Sequence, residues 1–265
     1  MSEPISFYTT KTIDSWDEVA HRHERTNRSL LNDVKSPTFN NLNPDFNDLV
    51  DIVGVADKSV AQVCCNNGVD LLSIKNKGAQ RCLGIDGSQA FINQAVTLAA
   101  MAGLDDVEFC QCDIYQLPEL YRHSFDIVIV TVGVLNWMPD IQKFMQICSS
   151  LLTINGQLLI EDMHPVLNMY EQGSPSFINS SYFDTQPYVD DQGLDYFDNE
   201  KYEAKENYWF SHSLSSILSS AIACNLALEH IKELPYNISN YCADLESSEH
   251  NPPLGINLGW RKQGN

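Results

Sequence analysis

The feature that most constrains the fold is a regular alternation of short apolar segments with helical patterns between residues 59 and 160. Five apolar runs, typical of strands buried on both faces, cover residues 60–65, 81–85, 107–112, 125–132 and 157–160. Between them, apolar residues recur every three or four positions, and Ser88 and Gly103 bracket one such helix as its caps. This alternation predicts a doubly wound parallel sheet with helices on both faces.

The flanking regions complete this single α/β domain. Helical spacing near residues 13–20 and 46–53 predicts an N-terminal helical lid over residues 1–55, ahead of the core at 59–162. Residues 163–210 break the rhythm and are rich in aromatic and acidic side chains, as expected of a binding insert. Residues 211–265 predict a closing helix and two antiparallel strands, which bring the mostly parallel sheet to seven strands.

The charge balance narrows the classes of partner. Sixteen Lys and Arg residues stand against 35 Asp and Glu residues, for a formal net charge of −19 and a pI near 4.5. A surface of this sign repels phosphate backbones and anionic lipids, so we expect no nucleic-acid and no membrane partner. A neutral or cationic small-molecule substrate meets no such repulsion. The pattern leaves open whether the protein is a monomer or a homodimer.

The eight cysteines predict neither a disulfide framework nor a metal site. Most of them lie in apolar runs, where reduced cysteine acts as a small buried hydrophobe. Cys110 and Cys112 form a pair, but no second Cys or His pair accompanies them at zinc-site spacing. The sequence has no signal peptide pattern and no apolar run of membrane-spanning length. We therefore expect a cytoplasmic protein without a metal.

Polar residues follow several of the predicted strands. Asn66, Asp86, Asp113, Gly133 and His164 all fall at or just beyond strand ends, and parallel strands bring such ends to one edge of the sheet. Asp86 comes 18 residues after Gly68, near the spacing of about 20 residues at which a carboxylate binds ribose hydroxyls. Asp113 suits an adenine amino group, with Ile114 against the ring. Only one glycine stands in the turn after the first strand, whereas a pyrophosphate-binding turn needs several.

These segments resemble the class I S-adenosylmethionine (SAM)-dependent methyltransferases, which have a Rossmann-like fold. The resemblance rests on residues 60–68, 84–88, 112–118, 125–128 and 133–140, with Leu151, Leu152 and Gly156. It implies SAM as the cofactor, with its methionine part on the first turn and on residues 131–133, its ribose at Asp86 and its adenine near Asp113. The expected cofactor-binding residues are Cys64, Cys65, Asn66, Gly68, Asp86, Gly87, Ser88, Asp113, Ile114, Thr131, Val132, Gly133 and Trp137.

A narrower resemblance and two departures qualify this assignment. Residues 161–167 and 208–214 look like an uncharacterised bacterial branch of the small-molecule methyltransferases. The general family has an acidic residue where Gln62 stands, and glycines where Cys64 and Asn66 stand. These departures leave open a catalytically degenerate SAM-binding or interaction protein. A nicotinamide-dependent oxidoreductase on the same fold is a second alternative, although the missing glycines argue against it.

The candidates for chemistry flank the insert. His164 follows the fifth strand and could act as a general base, as could Tyr208 and His212 at the end of the insert. The structural alternatives are a turn cap for His164, packing of the insert for Tyr208, and a solvent-facing position for His212. The candidate substrate-binding residues are Trp16, Tyr170 and Trp209, and core packing is the alternative for Trp16 and Trp209.

Overall fold

The computed structural model describes residues 3–190 and 204–264, and its centre is a seven-stranded sheet. The sheet strands are β1 (Ser59–Val63), β2 (Arg81–Asp86), β3 (Glu108–Gln111), β4 (Phe125–Val130), β5 (Leu152–Met163), β10 (Leu226–Leu234) and β11 (Gly255–Lys262). Their spatial order is β3-β2-β1-β4-β5-β11-β10, and β11 runs antiparallel to both of its neighbours. The predicted fold, including the antiparallel closing pair, is confirmed.

Helices cover both faces of this sheet. They are α1 (Ile5–Thr26), α2 (Leu30–Asp33), α3 (Pro44–Val53), α4 (Val69–Asn76), α5 (Gln89–Ala102), α6 (Ile141–Leu151) and α7 (Leu214–Ile222). The apolar side chains of α6 and α7 pack on one face, and those of α3, α4 and α5 pack on the other. The central strands are therefore covered on both faces, which explains why β4 is apolar over nearly its whole length.

Two elements are longer than their sequence patterns predict. The helix expected near residues 13–20 is α1, which has 22 residues, because its polar positions lie against α5 and the later part of the chain. The fifth strand, predicted over residues 157–160, extends over 12 residues with Gly156 inside it. Its pairing with β11 continues through Glu161 and Asp162, two buried polar residues that an apolar pattern does not count.

The predicted N-terminal lid and the predicted insert each contain several elements outside the seven-stranded sheet. Of the predicted N-terminal lid, α1 lies across the carboxyl ends of the strands, whereas Phe46, Leu49 and Val50 of α3 belong to the core. The predicted insert contains two small antiparallel pairs, β6 (Tyr170–Glu171) with β7 (Phe177–Ile178) and β8 (Tyr188–Asp190) with β9 (Asn207–Trp209). Residues 191–203 of the predicted insert lie outside the described part of the chain.

Candidate functional site

A cavity lies between the carboxyl ends of the central strands and the inner face of α1. Ten of the thirteen expected cofactor-binding residues border it: Cys64, Asn66, Asp86, Gly87, Asp113, Ile114, Thr131, Val132, Gly133 and Trp137. Four residues of α1 close it from above, namely Thr9, Thr12, Ile13 and Trp16.

The turn after β1 has the positive φ angles that favour glycine, although two of these positions are not glycine. Cys64 has φ 54° and Asn66 has φ 50°, both in the left-handed region, and Gly68 follows with φ 75°. A Cβ atom at Gly68 would also lie 2.9 Å from the ring of Phe109. Asparagine tolerates this conformation, but cysteine occupies it at an energetic cost. The turn therefore has the path of a glycine-rich loop, and Cys64 and Asn66 place side chains at the cavity wall.

Asp86 is the carboxylate at the end of β2. Its Oδ2 accepts a hydrogen bond from the Asn66 backbone N–H at 2.7 Å, and its Oδ1 accepts one from the Ser88 N–H at 2.9 Å. Burial raises the pKa of Asp86 to about 6, against the lowering effect of these backbone donors. The side chain therefore has a fixed orientation at the cavity wall.

Asp113 occupies the corresponding position after β3. Its Oδ1 accepts from the Tyr115 N–H at 3.0 Å, and its Oδ2 accepts from the Thr9 hydroxyl of α1 at 2.6 Å. A second contact of α1 lies nearby, where the Asp17 carboxylate accepts from the Ser88 hydroxyl and from the Ala90 N–H at the start of α5. Both contacts hold α1 against the edge that carries the strand ends.

Asp162, which the sequence analysis did not single out, organises the loop after β4. It is 1% exposed and accepts hydrogen bonds from the backbone N–H groups of Gly133, Val134, Leu135 and Met163 at 2.7–2.9 Å. Burial raises its pKa to about 6, while the four donors lower it. The sequence signal was an acidic residue directly after the apolar run of the fifth strand. This carboxylate fixes the loop that carries the cavity residue Gly133.

Gln62, which stands where the family has an acidic residue, belongs to a series of hydrogen-bonded buried polar groups. The Gln62 amide donates to Thr131 Oγ1 at 2.9 Å, and the Thr131 hydroxyl donates to Asp70 Oδ2 at 2.6 Å. Burial raises the pKa of Asp70, which lies in the first turn of α4. A carboxylate is thus present next to Gln62, but it comes from α4 and not from β1.

Three expected cofactor-binding residues do not border the cavity. Cys65 is buried, and its N–H donates to the Ile85 carbonyl. Gly68 begins α4, and Ser88 caps α5 by accepting from the Phe91 N–H at 3.2 Å. Their positions are explained by backbone geometry and capping.

None of the three catalytic candidates borders the cavity either. His164 caps the short helical turn Pro165–Met169 through Nδ1, its Nε2 lies 3.1 Å from Glu233 Oε1, and burial lowers its pKa. The Tyr208 hydroxyl donates to Glu206 at 2.6 Å, and this hydrogen bond raises the pKa of Tyr208 to about 12. The His212 ring contacts the carbonyl of the cavity residue Met138 through Nε2 at 2.8 Å, and burial lowers its pKa. His212 is therefore one residue removed from the cavity, in a part-buried position and not facing solvent.

The substrate candidates are divided between the cavity and its surroundings. Trp16 borders the cavity, with its ring 5.5 Å from that of Trp137. Trp209 does not border it but packs against Trp137, with ring centroids 4.9 Å apart. Tyr170 lies further away, where its backbone carbonyl accepts from the Tyr241 hydroxyl.

Two kinds of site are absent from residues 3–190 and 204–264. No group of three or more His, Cys, Asp or Glu side chains there is arranged to hold a metal ion. Nor does any helix of this part of the chain combine the length and apolar character needed to cross a membrane.

The comparisons with known proteins assign the family. A family model described as a methyltransferase domain matches residues 56–208, which is more than half of the chain. The chain belongs to this family. Among curated proteins, the chain is 28% identical over 130 residues to the ubiquinone biosynthesis O-methyltransferase of Neisseria meningitidis serogroup C, covering 48% of this chain and 53% of that one. It is 31% identical over 108 residues to the tRNA U34 carboxymethyltransferase of Aliivibrio salmonicida, covering 40% of this chain and 32% of that one.

Solved structures show the same fold at low identity. The SAM-dependent methyltransferase of Mesorhizobium loti superposes with a TM-score of 0.62 at 16% identity, covering 83% of this chain and 96% of that one. The geranyl diphosphate C-methyltransferase of Streptomyces coelicolor, solved with S-adenosylhomocysteine, has a TM-score of 0.58 at 13% identity, covering 82% and 78%. The methyltransferase spans about half the length or less of the two curated relatives. Its fold is that of the SAM-dependent methyltransferases, as the sequence predicts.

Proposed function

We propose that this methyltransferase transfers the methyl group of SAM to a small molecule that is uncharged or cationic. The observation that carries the proposal is the composition of the cavity wall. Asp86 and Asp113 are its charged groups, and no Lys, Arg or His is among the described residues that border it. An anionic acceptor would find no positive partner there, and the formal charge of −19 repels a polynucleotide.

The donor site is proposed along the strand ends. The ribose hydroxyls would donate to Asp86, the adenine would lie between Asp113 and Ile114, and the methionine part would rest on the turn at Cys64 to Asn66 and on residues 131–133. The site fits this ligand because its two carboxylates and its left-handed turn lie on one continuous wall. SAM, when bound, supplies an activated methyl group on its sulfonium.

The chain would contribute placement and exclusion of water. Trp16 and Trp137 lie edge to face and would shield the reacting atoms, while Gly133, held by Asp162, would fix the side of the site next to the donor. A general base is needed only when the attacking atom carries a proton at neutral pH. His164 and Tyr208 point to other partners, so His212, beside the cavity residue Met138, is the strongest of the three predicted bases.

We assign α1 the role of the lid within a single catalytic domain. It supplies four side chains to the cavity wall and is tied down through Thr9 and Asp17. Gly87 allows the close approach of the helix, since a Cβ atom there would lie 2.5 Å from Ile13 Cγ1. Opening of α1 would then admit the donor and the acceptor.

Calorimetry with S-adenosylhomocysteine tests the donor site. We expect measurable binding by the wild type and at least about a tenfold weaker affinity for Asp86→Ala, because a buried hydrogen bond to a charged group contributes roughly 1.5–3 kcal/mol. Asp105→Ala, which removes an exposed carboxylate of equal charge, is the matched control and should bind as the wild type does. Absence of heat with the wild-type protein would contradict the proposed donor site.

The substrate class is tested with methyl-labelled SAM. One of the matched relatives is named as a tRNA-modifying enzyme, so the two reactions to compare contain an ultrafiltrate of small metabolites and purified total tRNA. We expect label to enter the small-molecule fraction. Label found only in tRNA would refute the proposed substrate class while leaving the methyltransferase assignment in place.

A further inference from the structure

Three side chains near the contact of α1 with β9 carry buried polar atoms that have no hydrogen-bond partner among the described residues. They are the hydroxyl of Thr12, both amide atoms of Asn207 and the indole N–H of Trp209. Asn207 is fully buried and Thr12 is 8% exposed. Because buried polar groups in folded proteins are nearly always paired, three unpaired groups in one region indicate a partner that binds there.

These groups lie around one corner of the cavity. Asn207 and Trp209 alternate with Tyr208 along β9, so their side chains share the opposite face of that strand. On that face the Trp209 ring packs against Trp137, which borders the cavity. Thr12 borders the cavity from α1, one helical turn before Trp16.

Tyr8 shows that α1 and β9 are in direct contact. Its ring lies 5.1 Å from the ring of Tyr208, on the other face of β9, and 5.1 Å from that of Phe210, the residue after the strand. The three unpaired groups therefore lie around the contact between α1, β9 and Trp137.

We propose that Thr12, Asn207 and Trp209 bind the acceptor substrate, and that this acceptor is an uncharged planar molecule with an amide-like edge. The carboxamide of Asn207 presents a donor beside an acceptor, which is complementary to an amide or lactam group. Trp209 adds a donor, and the Thr12 hydroxyl serves as either. Trp16 and Trp137 supply aromatic surfaces that suit a flat ring. This inference rests on the proposed donor site, which leaves this corner for the acceptor.

Movement of α1 gives the acceptor access to Asn207. In the present arrangement Thr12 borders the cavity, whereas Asn207 and Trp209 do not, although Trp209 packs against the cavity residue Trp137. The contacts of α1 with β9 have to loosen for a ligand to pass between Thr12 and Trp137. An acceptor that pairs with all three groups would then hold α1 in its closed position.

Replacement of Asn207 by leucine tests the inference without any ligand. A residue kept for binding leaves its polar atoms unsatisfied in the free protein, so Asn207→Leu should raise the Tm. Asn136→Leu is the matched control, because this buried amide donates to Asn168 at 2.6 Å and its loss should lower the Tm. Thr12→Val, which removes only the hydroxyl, should also raise the Tm. A Tm of Asn207→Leu at or below that of the wild type, or its failure to fold, would overturn the inference.

A fragment titration tests the ligand chemistry. Benzamide and benzoate have the same shape, but benzoate is anionic and lacks the donor. In the protein saturated with S-adenosylhomocysteine, we expect benzamide to shift the indole N–H resonance of Trp209, assigned with Trp209→Phe, and benzoate at equal concentration to leave it unchanged. Asn207→Leu should weaken the benzamide response at least about tenfold.

The two proposals fail in different ways. If benzamide does not shift the resonance, or if benzoate shifts it equally, the acceptor inference is wrong while the donor site stands. If S-adenosylhomocysteine does not bind at all, the donor site itself is wrong, and the unpaired groups belong to another ligand.

Discussion

Cys64 offers a direct test of how the donor turn tolerates the loss of its glycines. Its φ of 54° places a non-glycine residue in the left-handed region, which costs an L-residue roughly 1–2 kcal/mol. At an ordinary position, alanine is more stabilising than glycine by about 0.5–1 kcal/mol, because glycine loses more conformational entropy on folding. At Cys64 the strain should outweigh this entropy, so glycine should be the better of the two residues.

The experiment compares two pairs of variants. Cys64→Ala and Cys64→Gly both lose the sulfur atom and differ only in the Cβ that causes the strain. Cys65→Ala and Cys65→Gly form the control pair, since the neighbouring cysteine is buried and is not among the residues with positive φ. The free energy of unfolding in urea should favour glycine at position 64 and alanine at position 65. The difference between the two pairs should be roughly 1–2 kcal/mol.

The reasoning is refuted if the more stable residue, alanine or glycine, is the same at positions 64 and 65. If alanine is more stable than glycine at both positions, the backbone at Cys64 relaxes out of the left-handed region. The donor turn would then differ from a glycine-rich loop in path as well as in composition. Titration of the same four variants with S-adenosylhomocysteine shows whether the turn also determines donor affinity.

Three further predictions concern the buried carboxylates. The affinity for S-adenosylhomocysteine should be constant above pH 7 and fall about tenfold per pH unit below about pH 6. The reason is that the pKa of Asp86 is about 6 and that ribose hydroxyls donate to the ionised carboxylate. An affinity independent of pH between 5 and 8 would contradict this prediction. Burial raises the pKa of Glu161 from 4.5 to about 7, so its contribution to stability is present below pH 4.5 and lost as the pH rises through 7. Glu161→Gln should therefore be more stable than the wild type at pH 8 by up to roughly 3 kcal/mol, and equally stable at pH 4.5, in urea unfolding. Asp162→Asn replaces one acceptor oxygen by a donor that faces backbone N–H groups. It should therefore lower the free energy of unfolding by about 2 kcal/mol or more. A loss under about 0.5 kcal/mol would show that the loop after β4 keeps its conformation without Asp162.

The sequence predicted the sheet and ten of the residues that line the cavity for a clear reason. Strand ends in a parallel sheet meet at one edge by topology, so Asp86, Asp113 and Gly133 could be placed together without knowing any distance. The same reasoning failed for His164. It also follows a strand, but β5 continues to Met163 beside the antiparallel β11, which places His164 against Glu233 and away from the cavity.

The polar groups that shape the site could not be identified from local patterns in the sequence. Asp162 is important because three N–H groups from a loop about 30 residues earlier converge on it, and no periodicity shows such a contact. The unpaired atoms of Thr12 and Asn207 are equally invisible in sequence, since an unpaired state depends on what every neighbouring element leaves open.

Local regularities determined the architecture of this methyltransferase, and long-range packing determined its site. Periods of two and about 3.6 residues mark strands and helices, and the alternation of these elements restricts the chain to one class of sheet. The glycine-poor turn was a departure from pattern in the sequence, yet the fold holds Cys64 and Asn66 in the left-handed conformation that glycine favours. The closure of α1 over the strand ends, through Thr9 and Asp17, depends on partners 104 and 71 residues away in the chain. Such contacts form only when the whole domain has folded, and they were therefore decided by tertiary structure alone.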